Sequence, residues 1–325
     1  MHLLIITGGE SSEHNIALKS SQSFINTLDK NINYSVAYVS ESGDWFLKEN
    51  DQLYPLYISL NKKDHGYFVD KGDGYHLVKC DKAIIIMHGL MGEDGSVQGL
   101  IKLSGIPLIG CSILASAIGI DKDIAHRLAN TIGIKTAKSK CFKKGENIDI
   151  ANLKFPLFIK PLTGGSSIGI SKAYNFNDLL KAVNLAFEYD DEVIIEENVE
   201  GREVGVAILS LDKLYMGEID EIVSNHDFFD FKAKYQDSGS KINLPAKISL
   251  KCRNTIYEQA LALFRLFKCE HFARLDFFID QDENIYFNEI NTIPGLTDHS
   301  RFPNMLKSIG ISFEELVRKL VTYEK

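Results

Sequence analysis

Three oxygen-bearing side chains near the end of the chain have the spacing of a metal site. Asp276 lies on one predicted strand, and Glu289 and Asn291 lie on the next, after the polar turn 280–284. Because Glu289 and Asn291 are two residues apart on a strand, they share one face. Such oxygen ligands suit a hard divalent cation, and the cationic Arg274 suits an anionic partner. The hairpin therefore indicates phosphoryl transfer assisted by magnesium.

The alternative interpretation of these carboxylates is an exposed acidic face. The residues around them are mostly apolar, which predicts that the carboxylates are partly buried. Buried carboxylates need a cation or hydrogen-bond partners, and this favours the metal site. The apolar neighbours are Phe277, Phe278, Ile285, Phe287 and Ile290.

A glycine- and serine-rich segment, 164–169, follows the predicted strand 155–161. Its backbone N–H groups can approach phosphate oxygens closely, and two serine hydroxyls add donors. By itself the segment could be a plain turn, but Lys160 at the end of the strand favours a phosphate site. Lys122 is a second candidate cation, with a solvated helix residue as the alternative. A phosphate site also favours magnesium over calcium at the hairpin.

Glutamates follow a further apolar strand and suit a nucleotide. The strand 193–196 ends at Glu196, and Glu197 and Val199 come directly after it. The edge of such a strand can hydrogen-bond an adenine through its backbone, and Glu203 beyond the next turn could bind ribose hydroxyls. Spacing by itself leaves a purely structural role open for each of these residues.

Polar loops follow two strands of the predicted N-terminal sheet. Glu13 lies after the first strand, and His88 and Glu93 lie after the strand 83–87. Ligands bind at the carboxyl ends of the strands in open α/β sheets. A lone histidine or glutamate there would usually be structural, but two such loops at one edge indicate a small polar substrate.

The hydrophobic pattern predicts the elements that position these residues. Strands at 3–6, 35–39 and 83–87, with helices at 13–28 and 97–104, are typical of a doubly wound α/β domain that ends near residue 110. Further predicted elements are a helix over 115–132, a helix capped by Asn177 and ending at Glu188, strands at 203–209 and 214–222, a helix over 250–267, and a last helix with a capping box at Ser312 and Glu315.

One long segment, 224–241, has no clear periodicity. It is polar and aromatic. A loop of this length inside a compact domain is usually functional or disordered, and its aromatic residues favour a loop that packs on something.

The composition is that of an ordinary globular protein. The chain has 325 residues, of which 45% are hydrophobic, and this length predicts two or three subdomains. The net charge of −8 and the lack of a long basic run argue against a nucleic-acid partner. The first apolar run is too short for a signal peptide or a membrane span, and five scattered cysteines suit a reducing compartment. A cytoplasmic protein without a membrane partner is expected.

Seven motifs occur in one order along nearly the whole chain. They are Gly8-Gly-Glu-Ser-Ser-Glu13, His88-Gly-x-x-Gly-Glu-Asp-Gly-x-x-Gln98-Gly, Ser116-Ala-x-x-x-Asp121-Lys122, Lys160-Pro-x-x-x-Gly-Ser-Ser-x-Gly169, Lys234-Tyr235, Ala273-Arg-x-Asp-Phe277 and Asn288-Glu-x-Asn-Thr-x-Pro-Gly295. Together they resemble the D-alanine–D-alanine ligase family of the ATP-grasp superfamily. Each motif is weak by itself, but the seven in this order are highly specific.

This resemblance implies an α/β protein, α+β in its C-terminal half, with an ATP-grasp fold and an N-terminal doubly wound Rossmann-like domain. It implies a first-substrate domain at 1–110, a central subdomain with the phosphate loop at 111–200, and a C-terminal subdomain with the metal site and a mobile lid at 201–325. The implied reaction is ATP-dependent ligation of two D-alanines through an acyl phosphate, for peptidoglycan synthesis and cell shape. The family also implies a homodimer.

The resemblance further implies roles in nucleotide and metal binding. Asp276, Glu289 and Asn291 would bind two Mg²⁺ ions, which Mn²⁺ can replace. The ATP site would comprise Lys122, Lys160, Ser166, Ser167, Glu196, Glu197, Val199, Glu203, Lys234, Phe278 and Asn288.

The implied substrate residues surround this nucleotide site. Glu13 would hold the ammonium group of the first D-amino acid, with His88 nearby. Lys234 and Ser300 would bind the carboxylate of the second, and Arg274 and the Gly295 N–H would stabilise the tetrahedral oxyanion. The remaining implied contact is Tyr235, which would link the lid to Ser166 and Glu13 and so exclude water from the acyl phosphate.

The acceptor amino acid is the open point. Dedicated D-alanine–D-alanine ligases usually have leucine or methionine where this chain has Arg301, and Ala17 stands where many members have serine. Arg301 and the segment 227–231 resemble the D-alanine–D-serine ligases associated with vancomycin resistance. Arg301 could hold a serine hydroxyl directly or through Asp230, or it could only orient its loop. The D-lactate ligases tend to lack a pair like the lysine and tyrosine at 234–235.

Two other functions compete with a D-amino-acid ligase. A nucleotide- or amino-acid-binding protein on the same fold would not need the catalytic positions, and all of these are filled. A carboxylase or glutathione-type ligase of the same superfamily fits the C-terminal half but does not explain the motif at 88–99.

Overall fold

The computed structural model describes residues 1–165, 168–223 and 241–324. These residues form three sheets and eight helices. The strands are β1 (His2–Gly8), β2 (Asn33–Val39), β3 (Trp45–Glu49), β4 (Gln52–Ile58), β5 (Gly66–Asp70), β6 (Tyr75–Lys79), β7 (Lys82–Ile86), β8 (Leu108–Ile109), β9 (Ser139–Lys143), β10 (Leu157–Pro161), β11 (Ser171–Ala173), β12 (Glu192–Glu197), β13 (Gly201–Ser210), β14 (Leu214–Met216), β15 (Asp220–Val223), β16 (Lys241–Asn243), β17 (His271–Asp280) and β18 (Ile285–Asn291).

The helices lie between and around these sheets. In the described ranges, none of them has the length and apolar character needed to cross a membrane. They are α1 (His14–Thr27), α2 (Ser96–Ser104), α3 (Ile113–Ile120), α4 (Lys122–Thr131), α5 (Phe176–Ala186), α6 (Leu250–Leu266), α7 (Arg301–Lys307) and α8 (Phe313–Thr322).

The first sheet has the strand order β6-β5-β4-β3-β2-β1-β7-β8. β1 is parallel to β2 and β7, and β7 is parallel to β8, whereas β3 to β6 continue from β2 in antiparallel pairs. Leu3 and Ile5 of β1 pack in the core with α1 and α8, and Leu4 and Ile6 pack in the core with α2. Helices therefore cover both faces of the parallel strands, and the carboxyl ends of β1 and β7 lie at one edge.

The second sheet has the order β11-β10-β12-β9 and packs against α5. Asn175 precedes α5 in an extended conformation, and its side chain accepts the Asp178 N–H at 3.1 Å. The prediction that Asn177 caps this helix is wrong, because Asn177 already lies in the first helical turn.

The third sheet has the order β16-β15-β13-β17-β18, with β14 paired to β13. Helices α3, α4 and α6 pack on one face, and α7 packs on part of the other. The predicted strand 214–222 forms two strands, because Glu218 donates its N–H to Met305 of α7 at 3.0 Å instead of to the sheet. This arrangement leaves the rest of that second face to carry polar side chains.

The predicted helix 115–132 is also wrong as a single element. Asp121 has φ −84° and ψ 102°, which ends α3, and its side chain accepts the Ile124 N–H at 2.9 Å and so begins α4. An aspartate in this conformation is a favourable N-cap. Lys122 consequently occupies the first position of α4, where its side chain is buried. The predicted hairpin turn at 280–284 is confirmed, and Ser312 caps α8 by accepting the Glu315 N–H at 3.2 Å.

Candidate active site

One row of paired residues crosses the third sheet. Asp220 of β15 pairs with Gly205 of β13, Gly205 pairs with Asp276 of β17, and Asp276 pairs with Glu289 of β18. Residues that pair directly across antiparallel strands point to the same face. In the neighbouring row, Arg274 pairs with Asn291. The structure thus brings the three predicted metal ligands and Arg274 together on one sheet face.

A bulge in β18 adjusts this alignment. Asp276 pairs with Glu289, but Phe277 pairs with Phe287, so Asn288 is an extra residue without a partner on β17. Bulges of this kind are common beside active sites, where they redirect side chains. The Asn288 carbonyl oxygen accepts a hydrogen bond from His126 Nε2 at 2.7 Å. The predicted nucleotide residue Asn288 is therefore tied to α4.

Asp276 is 1% exposed, and its partners on this face include two arginines and an asparagine. Arg274 donates to it from Nε at 3.0 Å and from Nη2 at 2.8 Å. Arg301 Nη2 lies 3.3 Å from its Oδ1, and Asn291 donates from Nδ2 to its Oδ2 at 3.2 Å. Burial disfavours the charge of Arg274, but the Asp276 carboxylate raises the pKa of Arg274 above its usual range. Two guanidinium groups therefore compensate this buried carboxylate.

Arg301 makes a forked ion pair that the sequence did not reveal. Its Nε and Nη2 donate to the two carboxylate oxygens of Asp220 at 2.8 and 2.7 Å. Asp220 is fully buried in β15. The expected intermediary Asp230 lies outside the described residues. The signal that identified Asp276, a carboxylate between two apolar residues, does not mark Asp220, because Ile219 precedes it but the charged Glu221 follows it.

The two predicted phosphate lysines lie in the groove between the second and third sheets. Lys160 Nζ is 2.6 Å from Glu196 Oε2, and Lys122 Nζ donates to the carbonyl oxygens of Leu162 and Gly164. Burial lowers the pKa of Lys122. Burial acts in the same direction on Lys160, but the Glu196 carboxylate outweighs it and raises the pKa of Lys160. The negative charge of Glu289 acts on the pKa of both lysines in the upward direction.

His126 is a second residue that the sequence did not reveal. It is buried, and its Nδ1 lies 3.6 Å from Glu196 Oε1. In the part of the chain that the structure describes, these two atoms have no hydrogen-bond partner. Burial would raise the pKa of Glu196, but the positive charge of Lys160 outweighs this effect and lowers it. His126 therefore connects Glu196 on the second sheet to Asn288 beside the metal residues.

The remaining predicted nucleotide residues are more dispersed. Glu203 on β13 pairs with Phe278 on β17 in the row next to Gly205. Glu197 ends β12 and accepts the Lys154 N–H at 3.0 Å. Glu197 and Val199 line an open cavity of about 400 Å³ together with Lys138, Asp280 and Tyr286.

The first N-terminal loop reaches the glycine-rich segment. A Cβ atom built on Gly165 would lie 3.0 Å from Glu13 Oε2, and one built on Gly89 would lie 3.1 Å from the same oxygen. Ser11 joins the two N-terminal loops by donating from Oγ to the His88 carbonyl at 2.6 Å. The carboxylate of Glu13 therefore lies against the predicted phosphate loop.

The second N-terminal loop is bonded to the segment that follows the metal residues. His88 Nδ1 donates to the Ile293 carbonyl oxygen at 3.1 Å, and the Ile293 N–H donates to Glu93 Oε1 at 3.0 Å. Glu93 Oε2 accepts the Gly89 N–H at 2.9 Å. Burial lowers the pKa of His88. Burial and the neighbouring Glu13 raise the pKa of Glu93 to about 8, against the effect of its two N–H partners.

Gly295 and Ser300 lie together just after this segment. A Cβ atom on Gly295 would lie 2.8 Å from Ser300 Oγ, and that oxygen is 2.8 Å from Thr297 Oγ1. Other predicted site residues lie outside the described residues, as does nearly all of the predicted lid 224–241. They are Ser166, Ser167, Asp230, Lys234 and Tyr235.

Comparison with known proteins identifies the family. A family model described as the D-ala D-ala ligase N-terminus matches residues 2–111, and one described as the D-ala D-ala ligase C-terminus matches residues 128–322. The chain belongs to the D-alanine–D-alanine ligase family. It is therefore an enzyme of the ligase class.

Three similar proteins of this ligase family carry three different names. A D-alanine–D-alanine ligase of Caldicellulosiruptor bescii is 34% identical, over 99% of this chain and 94% of its own. A putative D-alanine–D-lactate ligase of Streptomyces coelicolor is 36% identical, over 98% of this chain and 96% of its own. The crystal structure of the VanG D-Ala:D-Ser ligase of Enterococcus faecalis has a TM-score of 0.88 at 37% identity, over 98% of both chains.

Proposed function

We propose that this ligase uses ATP and magnesium to join two D-alanines into D-alanyl-D-alanine through an acyl phosphate, for peptidoglycan precursor synthesis. The observation that carries the proposal is the contact between Glu13 and the glycine-rich segment at Gly165. An enzyme that phosphorylates the carboxylate of an amino acid must hold that carboxylate beside the phosphate donor, and the ammonium group is on the adjacent carbon. Glu13 is the anionic partner for that ammonium, and Gly165 belongs to the phosphate loop.

The donor atoms on the sheet face fit magnesium. Two carboxylates and one amide face the same side, and the Asn291 amide directs its nitrogen to Asp276, which leaves its oxygen for a cation. Mg²⁺ prefers such oxygen ligands. Asp276, Glu289 and Asn291 would hold two ions, which when bound would neutralise charge on the phosphates.

The side chains of the nucleotide groove would bind and orient ATP. Lys122 and Lys160 are buried cations suited to phosphate oxygens, and Glu196 keeps Lys160 charged. The Glu196 to Val199 segment, Glu203, Phe278 and Asn288 would bind the adenosine part. We further propose that the second and third sheets enclose ATP as an ATP-grasp fold, with divisions at 1–110, 111–200 and 201–325.

The substrate residues would act between the two N-terminal loops and the sheet face. Arg274 would stabilise the oxyanion with the Gly295 N–H, and Ser300 would hold the acceptor carboxylate. Preorganised donors of this kind lower the barrier because they need not reorient during the reaction. We also propose that the enzyme is a cytoplasmic homodimer.

The direct test supplies the purified chain with ATP, Mg²⁺ and D-alanine. ADP and D-alanyl-D-alanine should form, and L-alanine should give neither. Asp276→Ala should abolish turnover, whereas Asp282→Ala in the exposed hairpin turn should retain it. If the parent chain binds ATP but forms no ADP, the ligase proposal is wrong and a silent binding protein on the same fold is the better account.

D-Serine is the second candidate acceptor, because Arg301 lies beside the sheet face that carries Arg274 and Asp276. Its forked contact with Asp220 fixes the guanidinium, and a fixed donor can recognise a hydroxyl but gains nothing from a methyl group. Equimolar D-alanine, D-serine and D-lactate should be supplied together, and the products identified by mass spectrometry. A dominant D-alanyl-D-serine product would establish this alternative, and a D-lactate ester would exclude both.

A further inference from the structure

Gly205 occupies the centre of the row that runs from Asp220 to Asp276. A Cβ atom at this position would overlap Arg301 Nη2 and would lie 2.5 Å from Asp276 Oδ1. It would also lie 3.1 Å from the Met305 methyl group. The missing side chain therefore leaves a slot whose walls are the two aspartates and Met305.

The backbone gives no other reason for a glycine here. The φ angle of Gly205 lies outside the left-handed region, so an ordinary L-residue could adopt its conformation. A glycine inside a strand weakens that strand and often marks the close approach of another group. At Gly205 the approaching groups are the Arg301 guanidinium and the Asp276 carboxylate with which it pairs.

The charges around the slot explain why the guanidinium lies there. Asp220 and Asp276 are both almost fully buried, and each is paired with the same Nη2 of Arg301 at 2.7 and 3.3 Å. A buried charge without a partner is strongly unfavourable. A guanidinium above Gly205 compensates both aspartates at once.

We propose, on the basis of the ligase function above, that Gly205 is a positioning residue that sets acceptor choice by admitting Arg301 to the row. A side chain at 205 would push the guanidinium out of the slot and away from Asp276. The arginine would then no longer present its remaining donors in one orientation. Acceptor recognition would change although neither Arg301 nor any group that touches ATP had been replaced.

The test is a double-mutant cycle of Gly205→Ala and Arg301→Leu. Gly205→Ala should raise the KM of the acceptor about tenfold and move the D-serine to D-alanine product ratio in the same direction as Arg301→Leu. In the Arg301→Leu background the alanine should change the product ratio much less, because the contact with the guanidinium is gone and only the contacts with Asp276 and Met305 remain. Additive effects, or an unchanged product ratio in Gly205→Ala, would overturn the proposal.

A matched control and a second readout separate this outcome from simple destabilisation. Val206→Ala removes buried methyl groups from the same strand on the opposite face, and it should lower stability without altering acceptor choice. The midpoint of urea unfolding should fall when Gly205→Ala is made in the parent, and it should fall by much less when the same substitution is made in the Arg301→Leu variant. Equal losses in both backgrounds count against the slot. If the parent forms no product, the ligase proposal fails but the unfolding cycle still tests Gly205.

Discussion

Lys160 Nζ lies 2.6 Å from Glu196 Oε2, and both side chains are almost completely buried. Removing one partner of such a pair leaves the other charge uncompensated. We expect Glu196→Gln to raise the Kd of ATP about tenfold and to lower the free energy of unfolding by roughly 3 kcal/mol. ATP titration calorimetry and urea unfolding would measure the two effects. The control is Glu192→Gln on β12, the strand that also carries Glu196. It breaks an exposed ion pair with Lys143 of β9 and should change the free energy of unfolding by less than about 1 kcal/mol.

The hydrogen bond from His126 to Asn288 of β18 should contribute to stability and to ATP binding. His126→Phe would keep the aromatic contact with Phe287 but would remove the donor to the Asn288 carbonyl. Because a buried acceptor without a partner costs about 1–3 kcal/mol, stability should fall by that amount and ATP binding should weaken. His126→Gln retains an N–H donor and should restore part of both properties. Equal behaviour of the two variants would show that the hydrogen bond does not matter.

The raised pKa of Glu93 predicts that the free energy of unfolding depends on pH. Its folded pKa is about 8, whereas an unfolded glutamate ionises near its ordinary value of about 4.3. Between these values the folded state binds more protons than the unfolded state, so the free energy of unfolding should fall as pH rises toward about 8 and then level off. Glu93→Gln should remove this slope. Urea unfolding of both proteins between pH 5 and pH 9 (roughly the window between the two pKa values) would measure it; parallel curves would contradict the assignment.

We expect Arg301 to influence which amino acid is used as the acceptor. Arg301→Leu should shift the products from D-alanyl-D-serine toward D-alanyl-D-alanine, because the donors that suit a hydroxyl are lost. It should also destabilise the fold by about 3–5 kcal/mol, since Asp220 stays buried without its partner. Arg318→Leu, on the exposed side of α8, should leave the product ratio unchanged. An unchanged ratio in Arg301→Leu itself would show that this arginine does not recognise the acceptor side chain.

The metal hairpin could be predicted from sequence because its information is local. Glu289 and Asn291 share a strand, and Asp276 lies 13 residues before Glu289 on the adjacent strand. The pair between Arg301 and Asp220 could not be predicted, because its partners are 81 residues apart and meet only when α7 packs on the third sheet. The break at Asp121 was also missed, since the apolar periodicity of α3 continues into α4 and hides the cap.

The strands β3 to β6 were missed for a different reason. The side chains of β3, β4 and β6 are largely exposed, and no clean alternation of apolar and polar residues marks them. β5 is mostly buried, but only the three residues 67–69 form its apolar run. β1 and β7 were found readily because both faces of these strands are buried, which produces continuous apolar runs. A strand could therefore be recognised where burial of both faces produced an apolar run of at least four residues.

The extra residue Asn288 changes which positions of β18 point into the core. Before it, the odd-numbered Ile285 and Phe287 point into the core, whereas after it the even-numbered Ile290 does so and the odd-numbered Glu289 faces the site. The first half of this seven-residue strand therefore packs in the core, and its second half presents side chains to the candidate active site. In a substitution scan along β18, changes at the odd positions before Asn288 should lower stability. Changes at the odd positions after Asn288 should instead lower turnover.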